Sequence, residues 1–84
     1  MPPTAAAPTA PRREIDATGL SCPMPVIELA KGVEQLAPGQ QLVLLATDPA
    51  ARVDVPVWCR MKRQRLVEAT DHDGTYRFVV ERTS

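Results

Sequence analysis

Two cysteines, Cys22 and Cys59, are the nucleophilic thiols of this chain of 84 residues. Cys22 stands in the run Gly19-Leu20-Ser21-Cys22-Pro23-Met24-Pro25. Proline is tolerated in the first turn of a helix, where its missing N–H leaves no intrahelical bond unmade. The Cys-Pro-x-Pro spacing therefore sets Cys22 at or beside the N-cap of a helix. There the positive end of the helix macrodipole and the free N–H groups favour an anion on sulfur, so a lowered thiol pKa is expected. Pro23 and Pro25 also stiffen the backbone beneath the sulfur. An activated sulfur on a rigid platform suits nucleophilic attack, or a transferable adduct such as a persulfide. The alternative is a structural cysteine, buried as a small hydrophobe.

Other side chains offer weaker chemistry. Cys59 is expected on the second helix, away from a Val57/Met61 stripe and on the side shared by Lys62 and Arg63. It is a candidate resolving or second sulfur-bearing thiol, or a partly buried residue without chemistry. Its spacing from Cys22 is not Cys-x-x-Cys, so only the fold can bring the two together. Arg60, Lys62, Arg63 and Arg65 form a local basic cluster. It reads as a solvated helix end suited to the C-terminal dipole, or as a docking patch for an acidic partner. Only Trp58 interleaves it, too little for base stacking, so direct nucleic-acid binding is not expected. His72, between Asp71 and Asp73, has no helical metal spacing; a solvated turn residue is expected and no metal.

The elements that must position these residues can be read from apolar spacing. Residues 13–17 form a first strand, with Ile15 and Ala17 on one face. Thr18, Gly19 and Leu20 turn the chain. Residues 23–37 read as a helix, because Val26, Leu29, Ala30, Val33, Leu36 and Ala37 fall in one arc at ~100° per residue. Pro38-Gly39 stops it. Residues 41–47, with the apolar run Leu42-Val43-Leu44-Leu45-Ala46, suit a central strand. Asp48-Pro49 breaks that strand. A second helix is expected over 54–64, with Asp54 as N-cap, Pro56 in the first turn, and Val57, Trp58 and Met61 facing inward. Residues 66–70 and 75–82 read as strands joined at Asp71-His72-Asp73-Gly74. The order βαβαββ implies an α+β two-layer sandwich, with two helices on one face of a four-stranded sheet.

Composition narrows the field. Ten Lys+Arg balance ten Asp+Glu, which argues against a chain held to nucleic acid or membrane by bulk charge. Two cysteines are too few for a disulfide-dense secreted scaffold, and with one histidine they cannot complete a four-ligand zinc site. No apolar run approaches the ~20 residues that span a bilayer. No positive n-region followed by a Leu-rich segment opens the chain, so no signal peptide is read and a cytoplasmic location is expected. Four of the nine prolines lie in the first eleven residues, and residues 1–12 read as a disordered Pro/Ala-rich tail. Residues 13–84 remain as one domain.

These motifs resemble the TusA-like (SirA-like) sulfur-carrier family. The resemblance rests on Gly19-Leu20-x-Cys22-Pro23-x-Pro25, Lys31, Pro38-Gly39 and Asp48-Pro49-Ala50. It continues through Asp54-Val55-Pro56-Val57-Trp58-Cys59, similar to the family's Asp-Ile-Pro-x-Phe-Cys, and through Tyr76-Arg77-Phe78. It implies a mixed-sheet fold like the C-terminal domain of translation initiation factor 3. It implies a persulfide carried on Cys22, taken from a cysteine desulfurase or rhodanese-type donor and passed to an acceptor protein. The pathways implied are tRNA thiolation, molybdenum cofactor synthesis or sulfur oxidation, with no metal or organic cofactor and a chain working as a monomer. Selenium handling at the same cysteine is not separated from sulfur. Met24 stands where some members have an acidic residue, and Ala30 where an arginine is common. Both changes touch the expected docking rim, where Met24, Arg60, Lys62 and Arg63 are the candidate contacts. The alternative function is a non-catalytic interaction or regulatory module with Cys22 structural.

Overall fold

The apolar run after Gln41 becomes a central strand because it has neighbours on both sides and helices over one face. In this computed structural model, which describes residues 13–83, the elements are β1 (Arg13–Ala17), α1 (Met24–Glu34), β2 (Gln41–Ala46), α2 (Ala51–Met61), β3 (Arg65–His72) and β4 (Thr75–Glu81). The expected tail over 1–12 lies outside the described residues. The sheet order is β1-β2-β4-β3. β1 and β2 run parallel, with Ile15 opposite Leu44; β2–β4 and β4–β3 are antiparallel. The sheet is therefore mixed, and the α+β two-layer arrangement expected from the element order is the one observed.

Side chains alternate across each strand. Leu42, Leu44 and Ala46 of β2 join Tyr76, Phe78 and Val80 of β4 in the core beneath the helices. Leu29 and Val33 of α1 and Ala51, Val55 and Cys59 of α2 close that core from above. Gly32 lets α1 sit close to the sheet: a Cβ there would run into Ile15 and come within 2.9 Å of the Leu42 side chain. Val43 and Val79 pair on the opposite face and are buried too.

Both helices depart from their expected bounds. α1 stops at Glu34 rather than 37. Its last N–H bonds tighten to three-residue spacing, Gln35 to Gly32 and Leu36 to Val33. The Arg82 guanidinium takes the carbonyls of Val33, Glu34 and Leu36 at 3.3, 3.1 and 2.6 Å. Those carbonyls are satisfied without another turn of helix. Leu36 remains buried, whereas Ala37, past the helix end, is exposed.

α2 begins at Ala51, not Asp54. Asp48 starts it: its Oδ1 accepts the Ala50 N–H at 3.0 Å, and its carbonyl accepts the Ala51 N–H at 2.9 Å. Asp54 is consequently a first-turn residue, not the N-cap, and Pro56 lies inside the helix. A proline there removes one backbone bond, the one to the Arg52 carbonyl. The side that faces the core also differs from the one expected. Ala51, Val55 and Cys59 are inward, while Val57 and Met61, expected inward, are exposed, Met61 at 71 %. Trp58 is half-buried and packs against the core's margin.

β3 extends to His72, so the hairpin turn is Asp73-Gly74 alone. Both residues have positive φ, +52 and +87, as a type I′ turn requires. Asp71 Oδ1 accepts the Gly74 N–H at 2.9 Å.

Candidate functional site

Because β1 and β2 are parallel, the loops that follow them emerge side by side at one end of the sheet. Hydrogen bonds tie these loops together. The Gly19 N–H donates to Thr47 Oγ1 at 2.8 Å, and the Cys22 N–H donates to Asp48 Oδ2 at 2.8 Å. Gly19 has φ +81, and the space around an added Cβ is empty. Its requirement for glycine is thus conformational, not steric. The Thr18 N–H and hydroxyl both return to Asp16 Oδ1, at 3.0 and 2.6 Å, which shapes the start of the same loop.

Pro23 is the N-cap of α1, so Cys22 immediately precedes the helix. The Met24 N–H is taken by the Ser21 carbonyl at 2.8 Å, and the Ile27 N–H by the Pro23 carbonyl at 3.0 Å. Pro25 is buried, and Pro23 is exposed. Around Cys22, Leu20, Met24 and Ile27 are exposed at 37, 40 and 39 %, an apolar rim on a surface otherwise rich in charge. Met24 was expected at such a rim; Leu20 and Ile27 were not singled out by the sequence.

Cys22 is half-buried. The Asp54 carboxylate in the first turn of α2, followed by burial and the charge of Asp48, pushes its thiol up from 9.0 to about 11. The lowered pKa expected from the helix start is therefore corrected. At a surface the macrodipole contributes about 0.3–1 kcal/mol, and nearby carboxylates act in the opposite sense. Asp48 itself is held below the ordinary carboxylate value by the N–H groups of Cys22 and Ala50. Asp54 is the site residue that sequence reasoning missed. Its signal was the βαβ order, which places the loops after two parallel strands together.

Cys59 is 2 % exposed, on the core face of α2. It does not share the outer side with Lys62 and Arg63 as expected, because the Ala51/Val55/Cys59 stripe, not Val53/Val57/Met61, packs on the sheet. Burial pushes its thiol up to about 11. Cys22 and Cys59 are both free thiols. Arg60, Lys62, Arg63 and Arg65 are all exposed at the C-terminal end of α2 and the start of β3. The helix has eleven residues, so its two ends lie ~16 Å apart at ~1.5 Å per residue. The basic cluster is thus at the end of α2 remote from Cys22. His72 is exposed beside the turn. Among the described residues, no group of three or more His, Cys, Asp and Glu side chains is placed to share a metal ion. Among the same residues, no helix is long and apolar enough to cross a membrane.

A SirA-like protein from Desulfitobacterium hafniense has the same fold, with a TM-score of 0.75 at 23 % identity over 84 % of this chain and 97 % of that one. The family model described as sulfurtransferase TusA matches residues 13–82. The sulfur carrier protein TusA of Pseudomonas paraeruginosa is 44 % identical over 68 residues, covering 81 % of this chain and 86 % of the relative. That of Pseudomonas fluorescens is 40 % identical over 70 residues, covering 83 % and 84 %. The chain belongs to the sulfurtransferase TusA family, as its motifs led us to expect.

Proposed function

We propose that this chain is a sulfur carrier that holds sulfane sulfur as a persulfide on Cys22. The observation that carries the reading is the placement of Cys22. It stands directly before a proline-braced helix, with its N–H held by Asp48, inside an apolar rim of Leu20, Met24 and Ile27. A sulfur so placed can be reached by a second protein, and the rim gives that protein apolar surface to cover. The relatives named sulfur carrier protein TusA support the same reading.

The donor is a cysteine desulfurase or a rhodanese-type protein, and the acceptor a further carrier or modifying enzyme. The pathways served are those of tRNA thiolation, molybdenum cofactor synthesis or sulfur oxidation. Cys22 attacks the outer sulfur of the donor's persulfide, and the acceptor's thiolate later attacks the outer sulfur of Cys22–S–SH. The cargo is covalent, so no metal or organic cofactor takes part. Arg60, Lys62 and Arg63 lie too far along α2 to flank Cys22 and would serve as a secondary contact at most.

Incubation with a cysteine desulfurase and cysteine, followed by intact-mass measurement, tests this. Wild type gains about 32 Da, one sulfur atom, reversibly with reductant. Cys22→Ser gains nothing while keeping its thermal unfolding profile. Full loading of Cys22→Ser overturns the assignment of the sulfur to Cys22, and no loading of wild type favours a module in which Cys22 is structural.

A further inference from the structure

Cys22 lies in a loop whose other residues are open to solvent: Leu20, Ser21 and Pro23 are all exposed. Such a segment moves freely unless something outside it takes hold. Asp48 does so. Its Oδ2 accepts the Cys22 N–H at 2.8 Å, and among the described residues this is the one side-chain hydrogen bond that reaches residues 20–23. Asp48 is itself anchored. Its Oδ1 accepts the Ala50 N–H at 3.0 Å, and its carbonyl accepts the Ala51 N–H at 2.9 Å. Pro49, which follows it, confines its backbone to extended conformations. The backbone of Cys22 is thereby fixed to the start of α2. Thr47 adds a second tie upstream, on the Gly19 N–H at 2.8 Å.

Resting on the sulfur-carrier reading, we infer that Asp48 is the positioning residue of Cys22: its carboxylate holds the Cys22 backbone against the start of α2 and so aims the sulfur at the outer sulfur of a docked donor. Displacement at sulfur needs the attacking, outer and leaving sulfurs close to one line, with the reacting atoms ~3–3.5 Å apart. A small reagent can turn into that line. A persulfide fixed in a docked protein cannot, so the carrier's own sulfur has to be aimed. In the transfer, the Cys22 sulfur forms a bond to the outer sulfur of the donor R–S–SH and the donor's S–S bond breaks. The electron pair of that bond leaves with the donor sulfur, and the proton lost by Cys22 is matched by one gained there. The sum, Cys22–SH + R–S–SH giving Cys22–S–SH + R–SH, involves no net oxidation or reduction.

The test uses the full chain as wild type, Asp48→Ala, Asp48→Asn and Gly32→Ala, each checked for folding by thermal melts. Loading of Cys22 by a cysteine desulfurase and cysteine is timed at rising desulfurase concentration. Asp48→Ala should slow loading at saturating desulfurase by about tenfold to a hundredfold, with the half-saturating concentration unchanged, because the apolar rim is kept. Alkylation of Cys22 by iodoacetamide, read by peptide mass mapping to separate it from Cys59, should not be slowed. The nitrogen-relaxation order parameter of the Cys22 N–H should fall from about 0.85 to below about 0.6. Asp48→Asn, which keeps one accepting oxygen of two, should shift loading and order in the same sense by less, and carries the test should Asp48→Ala not fold. Gly32→Ala weakens the fold away from both loops and should load at the wild-type rate. Loading as slow in Gly32→Ala as in the Asp48 variants assigns the effect to stability and overturns the inference. Alkylation slowed in step with loading makes Asp48 a source of reactivity rather than of aim, and overturns it too. Loading of wild type with no effect of Asp48 sinks this inference alone. No loading of wild type sinks the carrier reading, and the order parameter then decides by itself whether Asp48 holds Cys22.

Discussion

The carboxylate of Asp48 accepts the backbone N–H of Cys22 at 2.8 Å across 26 positions of sequence. With its second oxygen on Ala50, this one side chain joins the starts of both helices.

The carboxyl of Asp48 is held below its ordinary value of 3.8 by these N–H groups. The sign follows from linkage: a depressed folded value means stability that is complete above the ordinary value and is lost as pH falls through the folded one. Thermal melts of wild type and Asp48→Asn between pH 7 and pH 2 check this. The wild-type advantage at neutral pH should shrink below pH 4; an advantage that is constant with pH refutes it.

Gly32→Ala is expected to destabilise the fold. The added methyl runs into Ile15 and lies 2.9 Å from the Leu42 side chain. Overpacking typically costs 1–3 kcal/mol, and the gain in helix propensity offsets up to about 1 kcal/mol. Chemical denaturation should show a net loss of about 1 kcal/mol. A more stable variant would show that Ile15 at the sheet margin yields freely.

The two cysteines should separate by stability as well as by reactivity. Cys59→Ser places a hydroxyl in a core site that is 2 % exposed and should cost about 1–3 kcal/mol. Cys22→Ser should stay within about 0.5 kcal/mol. Burial raises the Cys59 thiol from 9.0 to about 11, so its contribution is complete below pH 9 and lost as pH rises through 11. Cys22, also raised to about 11, contributes in the same window. Melts from pH 8 to pH 11 should fall less steeply for Cys59→Ala than for wild type.

Arg82 caps α1 from the far end of the chain, with its tightest bond to the Leu36 carbonyl at 2.6 Å. Arg82→Ala leaves those carbonyls to water and should cost about 1–2 kcal/mol. Hydrogen exchange should rise first at the N–H groups of the last turn of α1. Uniform loss of protection across the sheet would contradict the capping role.

Where a residue type carries its own geometric constraint, the sequence was a good guide. The two prolines after Cys22 placed it at a helix start, Asp73-Gly74 marked a hairpin, and the run after Gln41 marked a central strand. The phase of α2 was not legible in the same way. Ala51/Val55/Cys59 and Val53/Val57/Met61 are both apolar stripes at helical spacing, and only the burial of the first decides between them. The preference for proline in a first turn pulled the expected start to Asp54, whereas the bonds made by Asp48 set it at Ala51. The same error hid the site. The environment of Cys22 depends on Asp48, 26 positions away, and that hydrogen bond exists only once β1 and β2 pair in parallel.

The register of β3 against β4 slips between Leu66 and Glu68. Such a bulge twists the outermost strand and interrupts its row of free N–H and C=O groups. At the other margin, β1 is five residues long and carries Arg13, Glu14 and Asp16. Among the described residues, neither margin offers a long, flat, apolar ladder to a neighbouring chain. A protein that must present apolar surface around one sulfur is thereby shielded from strand-to-strand aggregation at both sides of its sheet.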